Sequence, residues 1–152
     1  MNTFNGFFYF CIMQFYQKEI QLPVFDRGYH LITDILLEAL PELNKIKIGQ
    51  FQAFIKHTSA SLTINENADP TVRMDFESHI NKMIPENMPY YKHDYEGADD
   101  MPAHIKSSML GCQVQIPITN GKLNLGTWQG VYLGEHRNYG GRRKVVLTAF
   151  GN

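Results

Sequence analysis

Histidine and carboxylate side chains crowd into one short stretch of this chain, His93-Asp94-Tyr95-Glu96-Gly97-Ala98-Asp99-Asp100-Met101-Pro102-Ala103-His104. A loop of this kind leading into a helix supplies imidazole nitrogens and carboxylate oxygens to a divalent cation. The same run reads equally as a solvated acidic loop. His104 has Ser107 and Ser108 at i+3 and i+4, which places an imidazole beside two hydroxyls on one helix face. His57 opens a second group, His57-Thr58-Ser59-Ala60-Ser61, with Asn65-Glu66-Asn67 close behind. A histidine at a strand end followed by hydroxyls suits a phosphate or the orientation of a metal, although hydroxyls are common in strands. A third group is rich in glycine and arginine: Gly126-Thr127-Trp128-Gln129-Gly130, Gly134-Glu135-His136-Arg137 and Gly140-Gly141-Arg142-Arg143-Lys144. Glycine lets backbone approach a ligand, and arginine forks onto phosphate or carboxylate oxygens. His30 and His79 sit at the edges of apolar helical stripes and read as structural or surface residues. Cys112 has no neighbouring pattern of a nucleophile. Serine-hydrolase elbows, Walker loops and dinucleotide fingerprints are absent from the sequence.

The elements that must carry these groups follow from periodicity. Phe15 to Leu22 alternates as a strand. After a turn into helix at Arg27-Gly28, the residues Ile32, Ile35, Leu36, Ala39 and Leu40 make one helical face that Pro41 ends. From Gly49 the period becomes two, with Phe51, Ala53, Ile55 and His57 on one side; Thr58 to Ile64 continues as β. Asp69-Pro70 starts a helix whose stripe is Val72, Phe76, Ile80 and Met83. Asp100 and Pro102 open a third helix, with Gly111 placed to cap it. Val114 to Ile118, an Asn120-Gly121 hairpin, Trp128 to Leu133 and Lys144 to Phe150 complete a β-rich C-terminal half. The expected architecture is α+β, a single compact domain of mostly antiparallel sheets with about three helices.

Composition bounds the function. A chain of 152 residues gives one domain, 43% hydrophobic and 19% charged. Lys plus Arg is 14 against 15 Asp plus Glu, a net charge of −1 that argues against a nucleic-acid binder. Two cysteines, Cys11 and Cys112, are too few for a disulfide scaffold, so a reduced cytoplasmic protein is expected. The uncharged start through Tyr16 is shorter than a membrane span and lacks a basic signal-peptide end, so no membrane association is expected. Residues 1–12 are read as an N-terminal extension, or as a strand over Phe7 to Phe10, ahead of a domain over 13–152.

From Met13 onward the chain resembles the YjbQ-like family of secondary thiamine-phosphate synthases. The resemblance runs through Arg27-Gly28-Tyr29-His30-Leu31, the segment from His57 to Thr63, Asn65-Glu66-Asn67, Asp69 to Arg73, the segment from His93 to Asp100, His104 to Gly111, Gly126 to Gly130 and Gly134 to Arg137. It implies a homotrimer and a reaction that joins hydroxymethylpyrimidine pyrophosphate to thiazole phosphate, releasing pyrophosphate. The residues' own chemistry suggests the roles. Departing pyrophosphate calls for a cation with Arg or Lys. Asp94 to Asp100 suits Mg²⁺, but four histidines, His57, His93, His104 and His136, suit Zn²⁺ or another transition metal better. His57, His104, Glu66 and Asp100 are the expected catalytic residues, with Asp99 or Asp100 also able to orient a ligand histidine. Ser59, Ser61, Lys106, Thr127, Arg137 and Arg143 are expected around the phosphate of a small phosphorylated metabolite. The alternative is a non-enzymatic trimeric protein that binds a metal or a phosphometabolite.

Overall fold

The structure, a computed structural model, describes residues 12–152. The expected extension, but for Ile12, and the strand at Phe7 to Phe10 lie outside the described residues. The elements in chain order are β1 (Gln14–Val24), β2 (Gly28–Leu31), α1 (Thr33–Ala39), a short 3-10 turn (Pro41–Lys45), β3 (Ile48–Ile55), β4 (Ala60–Glu66), α2 (Pro70–Met83), α3 (Asp100–Leu110), β5 (Gln113–Thr119), β6 (Lys122–Leu123), β7 (Gln129–Glu135) and β8 (Arg142–Gly151). Among the described residues three α-helices and antiparallel sheets bear out the expected α+β class.

The strands form two sheets, one ordered β1-β8-β3-β5-β6 and one ordered β2-β7-β4. Period-two alternation explains how they pack. In the larger sheet Phe51, Ala53 and Ile55 of β3 face inward with Val114, Ile116 and Ile118 of β5 and Val145, Leu147 and Ala149 of β8. The smaller sheet meets them with Ala60 and Leu62 of β4 and Val131 and Leu133 of β7. Leu36 and Leu40 of the α1 region, with Ile32, close one side of that core. Burying each such aliphatic side chain contributes about 1.5–3 kcal/mol, so this inter-sheet layer is the main source of stability.

The other face of the smaller sheet carries Tyr29, Ser61, Tyr132 and His136, and α2 and α3 cover it, which makes the molecule three layers deep. Because this face is largely polar, α2 buries little on it. Of its expected stripe only Ile80 is fully buried; Phe76 packs on Tyr29 with ring centroids 4.6 Å apart, and Met83 is half exposed. Local signals hold elsewhere. Asp69 caps α2 through the Thr71 amide at 2.8 Å, and the Gly111 amide closes α3 on the Ser107 carbonyl at 3.0 Å. One expectation is corrected: Arg27-Gly28 does not turn into a helix. Gly28 to Leu31 pair with Leu133 to Glu135 and Tyr132 as β2, so His30 lies on a strand, stacked on Phe25, with Nε2 2.7 Å from the Asp26 carbonyl.

Strands β3 and β8 pair glycine against glycine at Gly49 and Gly151. A Cβ on Gly49 would stand 2.2 Å from the Phe150 carbonyl oxygen. Gly49→Ala is expected to cost about 1–3 kcal/mol of stability, read as a lower urea midpoint with an unchanged slope. An unmoved midpoint would show that the two strands have room for the methyl group.

Candidate functional site

The chemistry-bearing residues gather at one end of the sandwich, where β7 ends, β4 and β8 begin, and the first turns of α3 lie across the smaller sheet. They form three adjoining groups.

The first group is built on α3. Asp100 and His104 are one helical turn apart on the same face, and His93 comes to them from the preceding loop. One ligand atom from each of His93, Asp100 and His104 lies within 4.8 Å of the others. His104 Nδ1 is 3.0 Å from the Thr58 carbonyl oxygen. A carbonyl only accepts, so Nδ1 carries a proton, and in the neutral imidazole Nε2 is then the bare nitrogen; Nε2 stands 3.5 Å from Asp100 Oδ1. His93 Nε2 is 3.0 Å from Asp100 Oδ2. That contact lacks hydrogen-bond alignment, and Oδ2 remains buried with no hydrogen-bond donor. Close approach without alignment is what donor atoms show when they aim at a common centre rather than at each other. Two imidazole nitrogens and one carboxylate oxygen are a donor set for Zn²⁺ or another transition ion rather than Mg²⁺.

Arg137 holds this group to β7. Its Nη1 donates to Asp100 Oδ1, its Nε to Asp99 Oδ2 at 2.9 Å, and its Nη2 to the Glu96 carbonyl at 2.9 Å. Asp99 also accepts from the Asn138 amide at 2.8 Å. Burial alone would raise the Asp99 pKa, but the Asn138 amide and the Arg137 guanidinium outweigh it and hold the carboxyl below its usual range. Arg137 is thus a clamp on two carboxylates, where the sequence suggested a phosphate ligand.

The second group crosses between the sheets. Glu135 and Arg143 occupy core-facing positions in β7 and β8, and both are buried. Arg143 donates twice to Glu135, Nε to Oε2 at 2.7 Å and Nη2 to Oε1 at 2.6 Å. Oε1 also accepts the Arg137 amide at 3.0 Å. The loop between β7 and β8 passes so close that a Cβ on Gly140 would stand 2.4 Å from the Glu135 carboxylate, which requires glycine there. The third nitrogen of Arg143, Nη1, lies 3.4 Å from His57 Nδ1, while His57 Nε2 accepts the Lys144 amide at 2.8 Å. Partial burial lowers the His57 pKa, and Arg143 lowers it further.

The third group lies between the smaller sheet and the helices. Ser61 Oγ and His136 Nε2 are 2.9 Å apart and buried. Burial, with Lys106, Arg143 and Arg27 nearby, pushes the His136 pKa down to about 3. Lys106 is also buried, with Nζ donating to Asn81 Oδ1, and burial lowers its pKa to about 8. The Tyr29 hydroxyl, in the same layer, is buried without a partner.

The expected residues therefore divide. The structure brings His93, Asp100 and His104 together. It places His57 on Lys144 and Arg143, and His136 on Ser61, outside that cluster. Lys106 reaches Asn81 rather than a solvent-facing anion site. Ser59 is half-buried in the turn before β4. Glu66 and Thr127 are not brought to the histidines: Ala60 and Glu66 are the opposite ends of the seven-residue β4, roughly 20 Å of strand apart, and exposed Thr127 lies in the loop before Gln129, which pairs with Glu66. Within one chain Glu66 thus does not stand beside His57 or His104. Glu135, the Thr58 carbonyl and the Lys144 amide were missed. For Glu135 a signal existed, since it falls in register with Val131 and Leu133 while Arg143 falls in register with Val145 and Leu147. Opposite charges in the apolar register of two strands announce a buried pair. An open groove of about 410 Å³ runs beside the cluster, lined by His57, Thr58, His104, Ser107, Ser108, Gly111 and Cys112.

His136 yields a pH prediction. A histidine whose folded pKa lies below its unfolded value near 6.5 resists protonation in the fold, so its contribution is full above pH 6.5 and is lost as pH falls toward 3. At pH 5 the loss is about 2 kcal/mol, at roughly 1.4 kcal/mol per pH unit. Urea unfolding at pH 7 and pH 5 is expected to show a larger drop in the native protein than in His136→Gln. Equal drops would show that His136 is accessible to protons in the fold.

Comparison with known proteins agrees with this architecture. The family described as UPF0047 protein YjbQ-like matches residues 18–152. A UPF0047 protein YjbQ from Salmonella typhimurium is 54% identical over 136 residues, covering 90% of this chain and 98% of the relative. The UPF0047 protein YugU of Bacillus subtilis is 38% identical over 118 residues, covering 78% of this chain and 87% of the relative. A crystal structure of an uncharacterized conserved protein of the YjbQ/UPF0047 family from Clostridium acetobutylicum superimposes with a TM-score of 0.75 at 40% identity, covering 86% of this chain and 97% of that one. A YbjQ-like protein of unknown function from Sulfolobus solfataricus shares the fold with a TM-score of 0.81 at 24% identity, covering 93% of this chain and all of that one. With the match running from Lys18 through the last residue and carrying the loop, helix and strand ends that build the site, the chain belongs to the UPF0047 YjbQ-like family.

Proposed function

We propose that this chain is a cytoplasmic enzyme acting on a small phosphorylated metabolite at a transition-metal centre made by His93, Asp100 and His104. The observation that carries the reading is the convergence of one ligand atom from each of these three side chains, with Asp100 Oδ2, beside His93 Nε2, buried and taking no hydrogen bond. The His104 tautomer supports it, because the Thr58 carbonyl holds the Nδ1 proton and turns the bare Nε2 toward Asp100. Arg137 supports it again by fixing the orientation of the carboxylate.

The reaction to assay is the one implied by the resemblance to secondary thiamine-phosphate synthases, joining hydroxymethylpyrimidine pyrophosphate to thiazole phosphate. A metal centre there would neutralise charge on the departing pyrophosphate. The homotrimer implied by the same resemblance belongs to this reading. It is favoured by Phe15, Ile48 and Phe54, which are apolar and exposed on the outer face of the larger sheet. Among the described residues no helix is long and apolar enough to cross a membrane.

Elemental analysis of the purified protein is expected to find about one transition-metal atom per chain, absent from His104→Ala, with circular dichroism unchanged between the two. Thiamine-phosphate formation is expected to fall with the metal. A native protein that retains no metal after incubation with Zn²⁺ or Mn²⁺ would overturn the centre. Full metal content with no product would overturn the enzymatic reading and favour a binding protein.

A further inference from the structure

His57, like His104, has its tautomer fixed by one backbone hydrogen bond while its other ring nitrogen is left unsatisfied. The Lys144 backbone N–H can only donate, and it reaches His57 Nε2 at 2.8 Å. Nε2 is therefore the unprotonated nitrogen. A neutral imidazole carries one proton, so that proton is on Nδ1. Neutrality fits the surroundings: partial burial lowers the His57 pKa, and the charges of Arg143, Lys144 and Lys56 lower it further against the opposing effect of Glu135. Nδ1–H then faces Arg143 Nη1 across 3.4 Å. A guanidinium has donors only. Two N–H donors thus point into one small space, and neither satisfies the other.

Donors held this way share an acceptor. Arg143 cannot turn away, because Nε and Nη2 are committed to Glu135 at 2.7 and 2.6 Å and the side chain is buried. His57 cannot turn away without losing the Lys144 amide. The field has the matching sign: the Arg143, Lys144 and Lys56 cations that depress the imidazole pKa attract negative charge. His57 also lines the groove that His104 lines, and its neighbour Thr58 supplies the carbonyl that holds His104 Nδ1.

We propose that His57, which lines this groove, and the buried Arg143 beside it form an oxyanion subsite through Nδ1–H and Nη1, taking one oxygen of a phosphoryl group while the rest of the ligand lies along the groove toward His104. This deepens the metal-centre reading by giving the substrate's phosphate a seat, but the subsite's donors are independent of the metal ligands. His57 is here a binding donor and not a metal ligand.

The test uses inorganic phosphate as probe, titrated calorimetrically into the full chain in a phosphate-free buffer. The native protein is expected to bind phosphate. His57→Phe, which keeps a ring but has no donor, is expected to weaken binding by about tenfold or more, the loss of one charge-assisted hydrogen bond. His57→Gln, whose amide can accept from Lys144 and donate to the anion, is expected to stay within about threefold of native if both bonds count roughly equally. The native protein is expected to bind phosphate both before and after its metal is removed with a chelator, so failure of the metal reading does not mimic failure of this one; binding lost on chelation overturns the subsite. Acetate in place of phosphate distinguishes a phosphoryl seat from a carboxylate seat; tighter binding of acetate overturns the phosphoryl assignment. No phosphate binding by the native protein, or equal binding by His57→Phe, overturns the subsite. Where His57→Phe fails to fold, nitrogen NMR of the native imidazole decides: a proton on Nε2 instead of Nδ1 overturns it.

Discussion

The buried pair between Glu135 and Arg143 is the interaction on which this end of the molecule depends. The two residues come from different sheets, so their two parallel hydrogen bonds join the layers where the aliphatic core runs out. Each charge has lost its water, and removing one partner of such a pair typically costs about 3–5 kcal/mol because the other is left buried and uncompensated. The pair does more than hold the sheets together. Glu135 also accepts the Arg137 amide, which sets where the Arg137 side chain departs. Arg137 in turn grips Asp99, Asp100 and the Glu96 carbonyl. One carboxylate therefore positions a guanidinium on each side of it, one toward His57 and one toward the start of α3.

This arrangement explains why an acidic loop can be held in a defined shape. Four carboxylates between Asp94 and Asp100 repel one another, and a loop of that composition left to itself would stay solvated. Arg137 neutralises the two that are buried and also reaches the exposed Glu96 carboxylate at 3.5 Å, leaving Asp94 in water. The loop is then short enough to return His93 over Asp100, with the His93 and His104 rings 5.2 Å apart. The ligand cluster is thus a product of charge pairing before it is a product of any ion.

Much of the fold was legible from residue pattern. Strand alternation in β3, β5 and β8, the Asp69 cap and the Gly111 terminus all rest on local sequence, and all are found. The stretch at Gly28 to Leu31 misled because its apolar residues run into the stripe of α1; only pairing with β7, more than a hundred residues away in sequence, makes it a strand. At the site, the His93–His104 segment was legible because its ligands are close in sequence and share a helix face. Grouping four histidines into one centre was not sound on sequence alone. His136 points to the opposite face of β7 from Glu135, and His57 is held by a backbone amide from β8, so a change of strand face and a cross-sheet contact decide their partners. Neither leaves a mark on local composition, although Glu135 and Arg143 do, as charges in an apolar register.

The two margins of the larger sheet are unequal. At one margin β6 is only two residues long, too short to template another strand. At the other, β1 runs eleven residues from Gln14 to Val24, its ladder with β8 interrupted only between Gln21 and Val24, where Pro23 contributes no N–H. Lys18 and Glu19 sit at its middle, the kind of charge that discourages indiscriminate strand pairing. Among the described residues, lateral growth of this sheet by a strand from outside thus finds its longest template in β1, the eight residues from Gln14 to Gln21 before its irregular end, with a charged checkpoint halfway along it.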